Sequence, residues 1–186
     1  MQAPNWKNGN IELVKEALRQ GELRLSAQVQ LATSADQRAT VLAGIYVAAA
    51  TGVIAALASL DAVKQAPPLV IGGATAAICF LVGAVFCIHA TLPIDFWTPG
   101  NDPQEWYGDI EQNKDVQVAL GEQAEHFNTH ILANRKSIDR NAARFLIGAL
   151  TGISAPIVGL FVAGLTCLFL PAGLAGVFSL AGLHPG

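Results

Sequence analysis

The stretch ATVLAGIYVAAATGVIAALASL, residues 39–60, carries no Lys, Arg, Asp or Glu. Residues 69–92 and 145–170 are apolar in the same way and equally free of those four residue types. A run of about 20 apolar residues matches the hydrocarbon thickness of a bilayer. None of the three presents a hydrophilic stripe, the mark of a surface helix in a water-soluble protein. These runs predict an all-α integral membrane protein with three transmembrane helices.

Composition points the same way. Of 186 residues, 52% are hydrophobic and 13% charged, where a soluble domain averages about 25% charged. A net charge of −3 offers no basic balance for nucleic acid. Cys79, Cys87 and Cys167 all fall inside apolar runs, so no disulfide framework is expected. No cleavable leader is expected either; the first apolar run reads as an uncleaved anchor.

Positive charge sets the orientation. Lys7, Lys15, Arg19, Arg24 and Arg38 precede the first span. Lys114, Arg135, Lys136, Arg140 and Arg144 lie between the second and third, and only Lys64 lies between the first two. The positive-inside rule then puts residues 1–38 and 93–144 in the cytoplasm. The 61–68 turn and the apolar tail 171–186 fall outside, the tail reading as a re-entrant or interfacial segment. This is an inner-membrane, multi-pass arrangement, N-terminus in and C-terminus out.

The two cytoplasmic segments read as helical. Residues 10–38 form one amphipathic helix with Asn10 as N-cap and Ile11, Val14, Leu18 and Leu25 on its apolar side. Its register weakens at Gly21 and Gln28, and nothing stops it before the membrane. After span two, residues 97–103 are turn-rich, and Asp102-Pro103-Gln104-Glu105 resembles a capping box opening a short helix. A longer helix starts near Asp115. Leu120, Ala124, Phe127, Ile131, Asn134, Ile138, Asn141 and Phe145 recur on it at spacings of four and three. A coiled-coil seam with two inward asparagines fits this spacing; so does an amphipathic helix whose asparagines touch water. Both long helices feed spans crossing from inside to outside, so they run parallel and are expected to pair as a cytosolic helical stalk.

Small residues recur at helical spacing within the spans: Gly44, Ala48, Gly52 and Ala56 on the first, Gly72, Ala76, Cys79, Gly83 and Cys87 on the second, Gly148 and Gly152 on the third. Such faces let helix backbones approach closely, within one chain or between chains. Pro156, inside span three, predicts a kink. Phe96, Trp97, Trp106 and Tyr107 fit either a headgroup-layer belt or a small aromatic core.

Little in the chain carries chemistry. No Walker loop, dinucleotide fingerprint, HExxH or paired CxxC occurs, and neither enzymatic activity nor a cofactor is expected. The absence of ionisable groups inside the spans argues against proton relays and ion-coupled carriers. Glu122, His126 and His130 recur at i, i+4 and i+8. They are the one candidate metal set, with a solvated polar face as the ordinary reading.

Directly before span one stands Ala35-Asp36-Gln37-Arg38-Ala39, and before the last span the basic cluster Arg135, Lys136, Arg140 and Arg144. This layout resembles the small membrane effectors of Pycsar anti-phage systems. It is also similar to alphaproteobacterial membrane proteins that share the Asp-Gln-Arg-Ala start and the Pro-Gly-Asn…Trp stretch after span two. The resemblance implies a membrane-perturbing defence effector answering a cyclic nucleotide. Asp36 and Arg38 read equally as an interfacial ion pair. The expected function is a self-associating membrane effector triggered through its cytosolic helices. The alternative is a membrane anchor or scaffold recruiting a cytosolic protein partner, and a weaker one an oligomeric channel.

Overall fold

The computed structural model describes residues 4–59, 67–92 and 96–169. The 61–66 part of the hairpin turn, residue 170 and the 171–186 tail lie outside them. Among the described residues every regular element is a helix, and there is no strand. A 3-10 turn, Trp6–Asn8, leads into α1, Ile11–Ser59. Helix α2 spans Pro67–Ala90. A 3-10 turn, Pro103–Trp106, continues into the short α3, Tyr107–Glu111, and α4 runs from Val116 to Phe169. Helices α1, α2 and α4 are each long and apolar enough to cross a membrane.

The helix ends follow local chemistry. Asn10 Oδ1 accepts the Glu12 N–H at 2.9 Å, and Asp115 Oδ1 accepts the Gln117 N–H at 2.7 Å. Each satisfies an orphan donor of a first turn. Asp102 does not: its side chain makes no capping bond, and the 3-10 turn closes through its backbone carbonyl to the Glu105 N–H at 3.0 Å. The expected capping box is therefore absent. Asn113, with a φ of 48°, ends α3. Asparagine tolerates this left-handed conformation better than most residues, and it lets the Lys114 N–H return to the Asp109 carbonyl at 2.9 Å. No break divides α1 (49 residues) or α4 (54 residues); α4 continues through Pro156, which sits on its exposed side.

The chain divides into two compact units. Unit 1 comprises Met1–Gln37 and Leu92–Ala142, unit 2 Arg38–Thr91 and Ala143–Gly186.

In unit 1 the first part of α1 packs on the first part of α4 in parallel. Gly21 lies against the Phe127 ring, and Gln28 Nε2 donates to the Ile131 carbonyl at 3.1 Å. Val14, Leu25 and Phe127 are fully buried. Gly21 and Gln28 thus continue the inward series and do not interrupt it. Glycine is needed where the aromatic ring presses on the α1 backbone, since a Cβ there would stand 3.1 Å from Phe127.

Unit 2 is packed inside out relative to a water-soluble core. Apart from Tyr46, its buried positions are small, among them Ala43, Ala50, Gly72, Ala76, Gly83, Ala84, Gly148, Gly152, Ala155 and Gly159. Its exposed positions include Val41, Ile45, Ile54, Ile78, Val85, Leu150, Ile157, Leu160 and Phe161. Helix α2 runs antiparallel to α4, with Gly72 against Gly159 and Gly83 against Gly148 and Gly152. A Cβ at Gly83 would stand 2.9 Å from the Gly148 carbonyl oxygen, and one at Gly148 would stand 2.8 Å from that of Gly83. Backbone meets backbone there, and dispersion between closely approaching helices holds the pair. Gly44 and Gly52 differ: a Cβ at either would meet open space, and Ala48 is exposed. Among the described residues, nothing packs against Gly44 and Gly52 of the α1 stripe.

Candidate functional site

The polar groups of unit 1 concentrate along one side of α4, where they hold two segments of irregular chain. The first is residues 96–101. Asn134, 1% exposed, accepts the Trp97 N–H on Oδ1 at 3.0 Å and donates from Nδ2 to the Trp97 carbonyl at 2.8 Å. The amide thus mimics a neighbouring strand and satisfies both backbone groups of one residue. Asn134 is therefore an inward position that does not touch water, and it binds the backbone of Trp97. Four residues on, Asn101 and Gln123 exchange hydrogen bonds between their side-chain amides, 2.6 Å each way.

Between these amide pairs the Trp97 indole stacks on the His130 imidazole. The ring centroids are 4.0 Å apart and the planes 3° from parallel. Partial burial holds the His130 imidazole below its ordinary pKa; His126 adds to the lowering and Glu105 opposes it. The His126 ring lies 6.4 Å from that of His130. Trp97 keeps 49% of its surface exposed.

The second segment is the N-terminal turn. The Trp6 side chain packs against Gly121, and its Nε1–H donates to Glu125 Oε1 at 2.6 Å. Gln117 Nε2 donates to the carbonyls of Trp6 and Gly9, at 2.5 Å and 2.8 Å. Gln117, Gly121 and Glu125 recur every four residues, so one face of α4 meets the backbone, the ring and the indole N–H in turn. Sequence reading missed both arrangements. Their signal was polar residues at helical spacing opposite a tryptophan, which spacing alone does not connect.

Glu122, His126 and His130 are otherwise engaged or apart. Glu122 pairs with Lys114, which also bonds Asp109 at 2.9 Å. These two carboxylates, Glu122 foremost, hold the lysine ammonium above its usual pKa. Among the described residues no group of three His, Cys, Asp or Glu side chains is arranged to hold a metal ion. Family models, curated proteins and solved structures give no match to this chain.

In unit 2 the Tyr46 ring lies over Gly152, and its hydroxyl donates to the Ala149 carbonyl at 2.9 Å. Ala43, Tyr46, Ala84 and Cys87 form its buried cluster, flanked by Leu42, Phe80 and Phe145. The Arg144 guanidinium reaches the His89 carbonyl in the last turn of α2 at 3.5 Å, a cation at the negative end of a helix dipole. His89 and Arg38 are exposed. In unit 1, Asp36 is half-buried, and burial raises its carboxyl pKa. Trp106 is half-buried as well.

Proposed function

We propose that this chain is an inner-membrane protein with three spans and a cytoplasmic N-terminus, which anchors a helical module in the cytoplasm for a partner protein. The inside-out packing of unit 2 carries the reading. Large apolar side chains pointing outward from a core of glycine and alanine suit a lipid solvent, where burying large apolar groups gains nothing and close backbone packing gains most. The paired polar groups of unit 1 suit water. Eleven Lys and Arg residues, ten of them in the segments before spans one and three, support the orientation.

Reporter fusions test it. A cytoplasm-active reporter should be active when fused at the N-terminus or within residues 108–113. A periplasm-active reporter should be active after residue 169. The reverse pattern would overturn the orientation, and a soluble fusion would overturn the membrane assignment.

A second reading is favoured by the outward Gly44, Ala48 and Gly52 face of α1: copies of the chain associate through it, and the assembly perturbs the membrane as a defence effector once a cytosolic signal, such as a cyclic nucleotide, reaches unit 1. Crosslinking in native membranes separates the readings. A ladder of oligomers lost in Gly44→Leu/Gly52→Leu, with depolarisation of cells given the signal, supports the effector. A monomer that never depolarises cells supports the anchor.

A further inference from the structure

Three contacts bind residues 96–101 to α4: the Asn134 clasp on the Trp97 backbone, the Asn101–Gln123 amide pair, and the Trp97–His130 stack. Only the stack includes a group that changes charge near neutral pH. We propose that the Trp97–His130 stack is a proton-operated clasp, closed while the imidazole is neutral and opened when it takes up a proton, so that acidification loosens the hold of α4 on residues 96–101.

The geometry supplies both the closed state and the force that opens it. Coplanar rings at 4.0 Å exclude water from one face of the imidazole, so a proton placed there loses hydration. His126 lies 6.4 Å away on the same helix. It is exposed, and its charge opposes one on His130. Among the described residues Glu105, from the 3-10 turn ahead of α3, is the charge acting on His130 in the opposite sense. A cation over an indole face is also attracted to it. Lost hydration and repulsion from His126 oppose that attraction, and the direction of the His130 pKa agrees with their prevailing. The sign follows: closure is complete above the ordinary histidine pKa of 6.5 and is lost as pH falls below it. Under the orientation proposed above, the proton comes from the cytoplasm.

The chain holds three tryptophans, so Trp6→Phe/Trp106→Phe leaves Trp97 as the only tryptophan, excited selectively at the red edge of indole absorption. Its fluorescence is followed from pH 8 to pH 5 on the full chain in detergent micelles. We expect a reversible shift to longer wavelength with a midpoint below 6.5. It should vanish in His130→Phe, which keeps an aromatic partner, and move to higher pH in His126→Gln, which removes the repelling neighbour. A flat titration, an unchanged transition in His130→Phe, or a midpoint above 6.5 with the indole still shielded would each overturn the proposal. Should the double variant misfold, hydrogen exchange at the Trp97 amide of the native chain replaces it. Corrected for intrinsic rates, protection should fall with acid, and constant protection would be decisive against the clasp.

Discussion

Asn134 is fully buried yet bonds no side chain of another helix; both its bonds go to the backbone of Trp97. Removing it strands a donor and an acceptor, and an unmet buried polar group costs about 1–3 kcal/mol. Asn134→Leu is therefore expected to destabilise unit 1 by roughly that amount, seen as a lower unfolding midpoint in micelles and faster exchange at the Trp97 amide. Gln28 is the opposite case. It is buried, its Oε1 has no partner, and its one bond goes to a helical carbonyl. Gln28→Leu removes an unmet acceptor and leaves Ile131 its intrahelical partner, so stability should hold or rise. A midpoint lower by several degrees would show that the amide has a partner absent from this structure.

At the scale of elements, the three long helices and the N-cap at Asn10 were legible because they rest on local signals: uncharged runs and a residue whose side chain reaches its own backbone. Gly21 and Gln28 were not, since a glycine and an amide look like gaps in an apolar series until Phe127 and Ile131 stand opposite them. The Asp102 cap failed for a related reason: a motif names donors and acceptors, while the backbone geometry of the turn decides whether they meet. The candidate site was the least legible part. Asn134 stood out in its seam, but its partner is a backbone 37 positions away, and backbone groups have no signature in sequence. The small-residue stripes looked alike in sequence, yet α2 and α4 spend theirs on each other and α1 turns Gly44 and Gly52 outward. Gly148→Leu should thus drive α2 and α4 apart, costing about 1–3 kcal/mol or more. Gly44→Leu should leave the unfolding midpoint of the monomer unchanged. Thermal unfolding in micelles compares the two directly.

At the scale of the molecule, the outward side chains of unit 2 predict its behaviour on extraction. Ile45, Ile54, Leu150, Ile157, Leu160 and Phe161 are all more than half exposed, an apolar surface larger than soluble monomers tolerate. The chain should stay with the membrane pellet through alkaline carbonate and be released by detergent; release by carbonate alone would contradict a spanning arrangement. The glycine-on-glycine core carries a calorimetric consequence too. In a micelle, separating α2 from α4 would move little hydrocarbon from protein into water, because the large side chains already face the surfactant. The heat-capacity increment of that melting step should fall well short of the about 12–15 cal/mol/K per residue typical of water-soluble domains, leaving its enthalpy nearly flat with temperature.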